Sequence, residues 1–423
     1  MEGAVKAAPP ASVIPARDFA VAEMPGLYGP FTFSERLLQR LWARREFDTA
    51  AARTADGRVV AILEPGKWNR LGGPDFLGAR LRFGDEEVRG DVELHLRAED
   101  WAAHAHARDP AYDGVVLHVV LFPSGETFTA GAGGAKIPVL ALLPLLHRGL
   151  EEYAEDEAVE ALAGRPIARA PAELAALPAD ALAELLARHA EQRWRKKVHF
   201  ARQRVIRLGW EGACHHAALE ILGHRFNRAP MLAVAGQFPL PAWSAGEVAA
   251  DQAWAALAGR WQTHGVRPAN QPRTRLRQYA AWAMARPDWP ARLRSLATEL
   301  PVPSIEASVE TRALRRIHRL SALRKKLAAA VCADAVAGPR LDTLVCDGFL
   351  PLLAAASEGP ALSPGGAGLG GLWQIWFPGD LPEVLLPALR ALGVFAAPAR
   401  PACHGPAQGL LGWLIERDAA KPV

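Results

Sequence analysis

The chain has 423 residues, half of them hydrophobic and 22% charged, which suits a globular protein of two or three domains. Four cysteines, at 214, 332, 346 and 403, show no C-x-x-C spacing, which argues against a disulfide framework. The N-terminus lacks a continuous apolar stretch and no uncharged apolar run reaches membrane-span length, so we expect a soluble cytoplasmic protein with reduced thiols and no membrane partner. A formal charge of +4 permits nucleic acid as a partner without requiring it.

Residues 1–25 are rich in Ala and Pro and read as a flexible N-terminus. A helix follows from about Thr32, with Ser34 as candidate N-cap and Leu37, Leu38, Leu41 and Trp42 at helical spacing. "GRVVAILEPG" reads as a short apolar strand. "DFLGARLRF" and "VRGDVELHL" alternate with period two around the turn "GDEE", as a hairpin does. "AEDWAAHAHARD" reads as helix or irregular connection, and "DGVVLHVVLFP" as a strand buried on both faces. After residue 140 the sequence is Ala/Leu/Arg-rich with helical periodicity interrupted by prolines. The predicted fold class is therefore α+β or α/β. An N-terminal mixed sheet flanked by helices (26–140) precedes a helical domain (141–340). A C-terminal helical region (341–423) carries a Gly/Pro-rich loop at 357–371.

Alternation along a strand puts Asp91, Glu93 and His95 of "DVELH" on one face, and a hairpin brings Asp75 toward Glu93 or His95. Two carboxylates around one point suit a hard cation such as Mg²⁺ or Mn²⁺, and a base two residues on can orient or deprotonate a water. Such a pattern suits in-line attack of that water on phosphorus, with Asp75 and Glu93 as metal ligands and His95 as base. Nearby, "DWAAHAHARDPAYDGVVLH" adds His104 and His106 as candidates for phosphate or metal contact. The alternative for that stretch is a polar turn capping its own backbone. His118, inside an apolar strand, reads as a hydrogen-bonded core histidine.

The pair Pro74-Asp75 followed by Glu93-Leu94-His95, in helix–strand–strand–strand–helix–strand order, resembles the core of the PD-(D/E)XK nuclease superfamily. That resemblance implies a metal-dependent nuclease in which Glu35 or Glu64 supplies a further acid and Asp91 assists. His95 stands where the superfamily has lysine, which leaves open whether it acts as base or as ligand. "PGKWNRLGGPDFLGARL", "GDVELHLRAEDWAAHAHARDPAYDGVVLHVV" and "GPAQGLLGWL" together are similar to the bacterial family known as domain of unknown function 2851. The family label implies no activity.

"RHAEQRWRKKVHFARQRVIRLGW" (188–210) gathers Arg193, Arg195, Lys196, Lys197 and Arg202 around an apolar stripe of Trp194, Val198, Ala201, Val205 and Leu208. "ETRALRRIHRLSALRKKLAAAV" (310–331) reads as a second basic helix. Both are candidate tracks for a nucleic-acid backbone, or simply solvated helix faces. Cys214-His215-His216 and Cys403-His404 lack the second ligand pair of a structural zinc site. Three functions stay open: a Mg²⁺- or Mn²⁺-dependent nuclease, a nucleic-acid-binding protein on a degenerate nuclease scaffold, and a metallohydrolase using His95, His104 and His106 as nitrogen ligands.

Overall fold

The computed structural model describes residues 21–27, 30–163, 170–303, 311–357, 368–397, 400–401 and 403–419. It is a mixed α+β structure, as the alternating and helical patterns imply, and it divides into two compact units. The first comprises residues 1–25, 30–43 and 52–144; the second comprises 26–29, 44–51 and 145–423. Of the N-terminal stretch expected to be flexible, 1–20 lie outside the described residues. Val21–Met24 form a strand, β1, paired antiparallel with β2 (Phe31–Ser34).

In the first unit, α1 (Glu35–Arg44) starts directly after β2, and Ser34 Oγ accepts the Leu37 N–H at 3.2 Å, the N-cap bond expected of a serine there. Its buried face carries Leu37, Leu38, Leu41 and Trp42, together with Glu35 and Gln39. The strands are β3 (Val60–Glu64), β4 (Lys67–Trp68), β5 (Phe76–Phe83), β6 (Glu86–His95), β7 (Val115–Val120), β8 (Phe128–Ala130) and β9 (Lys136–Ala141). They form one sheet in the order β3-β5-β6-β7-β9-β8, with β4 also on β5. β3, β5 and β6 make an antiparallel meander, whereas β6, β7 and β9 run parallel. Parallel pairing of β6 with β7 requires a crossover, and residues 96–114 supply it, including the single turn α2 (Asp100–Ala103). The last residues of β6, Val92 to His95, are buried on both faces.

The second unit contains α3 (Leu150–Ala163), α4 (Ala170–Ala175), α5 (Ala179–Leu222), α6 (His224–Gln237), α7 (Leu240–Ser244), α8 (Ala250–Ala256), α9 (Pro272–Ala285), α10 (Trp289–Leu296), α11 (Thr311–Ile317), α12 (Leu320–Ala330), α13 (Gly338–Thr343), α14 (Leu350–Ala356), α15 (Leu369–Ile375), α16 (Leu385–Ala391) and α17 (His404–Ala419). A small pairing of Phe395–Ala397 with Arg400–Pro401 is also present. α5 is the spine. It breaks at Gly209, whose φ of 69° only glycine adopts without strain. The second basic segment is two helices rather than one, because Arg319 takes a left-handed φ of 49° between α11 and α12. Residues 358–367 of the expected Gly/Pro-rich loop lie outside the described residues, and its end, from Leu369, is already helical.

α17 explains the "GPAQGLLGWL" stretch. Gly405, Gly409 and Gly412 fall on one stripe, and side chains there have no room: an added Cβ at Gly409 would collide with the Leu186 carbonyl oxygen of α5. At Gly412 it would lie 3.2 Å from Arg193 Cδ. Gly409 and Gly412 let α17 lie close against α5, while Gly405 lies against Gln374 of α15.

Candidate functional site

The end of β6 brings two acids and several imidazoles to one point. Asp75, Glu93, His95, His106 and His118 are each at least nine-tenths buried. Asp75 immediately precedes β5, and its N–H donates to Glu93 Oε2 at 2.8 Å. Its carboxylate accepts from Gln39 Nε2 at 2.8 Å and from the Leu94 N–H at 3.2 Å. Gln39, one helical turn after Glu35, thus ties α1 to the acid. Asp75, Glu93 and His95 form one continuous network, since Glu93 Oε1 lies 3.7 Å from His95 Nε2 and 3.5 Å from His106 Nε2.

Three imidazoles meet at His95 Nε2, with His104 Nδ1 at 3.1 Å and His106 Nε2 at 3.3 Å. One ring nitrogen from each of His95, His104 and His106 lies within 4.8 Å of the others. The H-x-H pair achieves this through Ala105, held at φ 56° directly after α2, which turns the chain so that residues two apart face one point. Tyr112 stacks on His106 at 3.8 Å between centroids, and Trp101 packs edge-on to His106 at 5.2 Å while its Nε1 donates to the Ala130 carbonyl. His104 is exposed, so the cluster opens toward solvent on that side.

Behind His95 stands His118, fully buried, its Nε2 2.9 Å from His95 Nδ1 and its Nδ1 2.7 Å from Thr129 Oγ1. Burial, reinforced by His106, pushes the His118 imidazole down to about 3, so it is neutral at ordinary pH. A proton on His95 Nδ1 given to His118 Nε2, and one on His118 Nδ1 given to Thr129, leaves the His95 Nε2 lone pair aimed at the cluster. His118 is the core histidine expected of an apolar strand, but its partner is His95.

The three imidazoles could hold a metal ion: their donor nitrogens lie within 4.8 Å of one another, and Glu93 Oε1 lies 3.5 and 3.7 Å from two of them. Imidazole nitrogen suits Zn²⁺ or Fe²⁺, whereas Mg²⁺ and Mn²⁺ prefer carboxylate and water oxygen.

Other expected site residues lie elsewhere. Asp91 accepts the Gly78 N–H at 2.8 Å, satisfying a bulge where Gly78 adopts φ 65°. Register shifts in both neighbouring ladders at that point separate it from Glu93. Glu64 is exposed and paired with Arg80 at 2.8 Å. Glu35 is buried on α1 on the same face as Gln39. Gln39 carried no sequence signal beyond being polar on an otherwise apolar helix face.

In the helical unit, the cations expected to form a nucleic-acid track are mostly committed internally. Arg193 pairs with Glu155 at 2.5 Å and Gln408 at 2.8 Å, Arg195 with Glu191 at 2.8 Å, and Lys197 with Asp347 at 2.7 Å. Lys196 lies 3.6 Å from Glu155, and Arg202 is half-buried. Beside them, Arg148 reaches Asp156, Glu152 and Glu220, Arg204 reaches Glu220, and Arg228 reaches Asp156. Cys214 is fully buried, and His215 is taken by Tyr279 Oη at 2.5 Å and the Phe238 carbonyl at 2.9 Å.

No curated protein and no solved structure matches the chain. The sequence model of the family described as Protein of unknown function (DUF2851) matches residues 35–260, which include the whole sheet, the histidine cluster and the first helices of the second unit. With more than half of its length matched, this chain belongs to the DUF2851 family.

Proposed function

We propose that the protein is a transition-metal-dependent hydrolase, with His95, His104, His106 and Glu93 holding the ion, and that it cleaves phosphodiester bonds of DNA or RNA. One observation carries the reading. His95 Nε2 sits within hydrogen-bonding distance of two other ring nitrogens, yet it can carry at most one hydrogen. Lone pairs gathered in this way suit a cation better than a network of rings bonding to one another. Of the expected pair, Mn²⁺ binds nitrogen more readily than Mg²⁺ does, but three imidazoles and one carboxylate suit Zn²⁺ or Fe²⁺ better than either. The bound ion supplies a Lewis acid for a phosphoryl oxygen and an activated water.

The chain's own residues do the remaining work. His118 and Thr129 fix the His95 ring, and Gln39 and the Leu94 N–H fix Asp75, which in turn holds Glu93 through its N–H. Asp75 just before the second meander strand, with Glu93 and His95 at the end of the third, supports the phosphodiester reading, because the PD-(D/E)XK pattern has its acids near those positions. His95 serves here as a ligand rather than as the base.

The test strips the protein with EDTA, titrates Mn²⁺, Zn²⁺ and Mg²⁺ by calorimetry, and assays labelled single- and double-stranded DNA and RNA. One equivalent of Mn²⁺ or Zn²⁺ should bind, with hydrolysis lost in Glu93→Gln and His106→Ala. Absence of stoichiometric binding by either ion would remove the metal centre. Metal binding without cleavage of any substrate would remove the nuclease activity.

A further inference from the structure

Two arginines of the helical unit are buried side by side. Arg275 on α9 is 7% exposed and Arg340 on α13 is 6% exposed. Asn270, just before α9, brings them together: its Oδ1 accepts from Arg275 Nη2 at 2.7 Å and lies 3.5 Å from Arg340 Nη2. Two guanidiniums on a single amide oxygen stand close enough for one ion to bridge them. We infer that Arg275 and Arg340 form a receptor for a phosphate group, carried by free inorganic phosphate or by a phosphomonoester.

The charges around the pair do not balance. Arg340 Nη1 lies 2.7 Å from Asp380 Oδ2 and donates to the Ile221 carbonyl at 3.0 Å. Arg275 has only neutral acceptors, Asn270 Oδ1 and Gln278 Oε1, the latter at 2.6 Å. Among the described residues no carboxylate forms a salt bridge with it. His224 Nδ1 lies 3.9 Å from the same Asp380 oxygen, and burial together with Arg340 lowers this imidazole to about 4, so it is neutral at ordinary pH. Burial, then Arg340, pulls Arg275 down only to about 10, which leaves it charged near neutrality. An ion taken out of water without a counter-ion is costly, and an anion from outside removes that cost.

The donors left over describe the anion. A guanidinium carries five N–H groups in a rigid fork. The Nε of Arg275 and the Nε of Arg340 are both buried without a hydrogen-bond partner, and Arg275 engages Nη1 and Nη2 once each. A carboxylate has two oxygens and is filled by one fork. A phosphate has oxygens on every side and can engage two guanidiniums at once. The first turn of α9 also lacks a side-chain cap, so its N–H groups add partial positive charge beside Asn270. Asn270 is half-buried and the Asp380 side chain is 37% exposed, which puts the pair just beneath the surface. An exposed Arg267–Glu383 pair, 3.6 Å apart, ties the loop holding Asn270 to the loop holding Asp380.

The site is separate from the histidine cluster, so the experiment is run on the full chain with EDTA present. Calorimetry in phosphate-free buffer at fixed ionic strength titrates inorganic phosphate, adenosine 5′-monophosphate and acetate. One equivalent of phosphate should bind, and acetate should bind about tenfold more weakly or less. A monophosphate that displaces phosphate and binds more tightly assigns the site to a phosphomonoester; one that binds more weakly assigns it to the free ion. Asn270→Asp, nearly isosteric, sets a carboxylate between the guanidiniums. It should cut phosphate affinity by about 10–100-fold and raise the midpoint of a thermal melt without phosphate. Phosphate should raise the melt of wild type and leave that of Arg275→Met unmoved, a response that a merely structural arginine would not control. Absence of saturable phosphate or monophosphate binding by wild type would overturn the inference. Wild-type phosphate affinity in Asn270→Asp or in folded Arg275→Met, or acetate bound as tightly as phosphate, would overturn it as well.

Discussion

His118→Leu isolates what a buried neighbour contributes to the cluster. The substitution removes an uncharged ring, since burial keeps His118 neutral down to about pH 3, so no charge leaves the core. Two hydrogen bonds disappear with it, of 2.9 Å to His95 Nδ1 and 2.7 Å to Thr129 Oγ1. Loss of the group that orients a ligating imidazole costs about 10–100-fold in metal affinity, or about 1.4–2.7 kcal/mol. The buried Thr129 hydroxyl and His95 N–H, left without a partner, cost about 1–3 kcal/mol each in stability. A paired His118→Leu/Thr129→Val variant removes the first of those and should recover part of the loss in a denaturant melt. Calorimetric titration with Zn²⁺ or Mn²⁺ is the assay, alongside His118→Gln, whose amide can still bond His95 and should regain much of the affinity. Metal affinity within twofold of wild type in a folded His118→Leu protein would refute the relay from Thr129 to His95.

Other outcomes follow from the same geometry. Saturating metal at about one hundred times its dissociation constant should stabilise the wild type by about 2.7 kcal/mol; thermal melts should show no such gain in Glu93→Gln. Arg148→Met leaves Asp156, Glu152 and Glu220 short of a cation in a buried network and should cost about 3–5 kcal/mol by chemical denaturation. His215 is lowered to about 4 by burial, so its contribution to stability is full above pH 6.5 and is lost as pH falls from 6.5 towards 4. The loss reaches about 3 kcal/mol, and a His215→Gln protein should show a correspondingly flatter stability profile over that window. Gly409→Ala forces a Cβ against the Leu186 backbone and should destabilise the protein by about 1–3 kcal/mol, whereas Gly236→Ala, in open space on α6, should not.

Period-two alternation made β5 and β6 legible, and the apolar run at 115–121 gave β7. The run at 137–142 is equally apolar but belongs to β9, a buried strand whose lack of alternation makes it indistinguishable from helix in sequence alone. Asp75, Glu93 and His95 could be picked out because acids and a base on a strand are unusual. Their relation to His104 and His106 depends on Ala105 adopting a left-handed turn, and alanine does not advertise that conformation. Asp91 shared the right parity, yet a bulge at Gly78 consumed it. The basic stretch from 188 looked unpaired because its carboxylates, Glu155 and Asp347 among them, are supplied from far along the chain.

The seam between α5 and α17 has a consequence for biosynthesis. Arg193 waits for Gln408, 215 residues later, and Leu186 and Trp194 lie on the same helix. At about 5–20 residues per second, the ribosome takes some ten seconds or more to deliver that partner after α5 emerges. During that interval the glycine-lined seam has only one side, and α5 presents an apolar stripe and buried-type cations to whatever is near. A premature stop before residue 404 leaves it open for good. Nonsense variants late in the reading frame should therefore be cleared by proteases although their sheet and histidine cluster are complete.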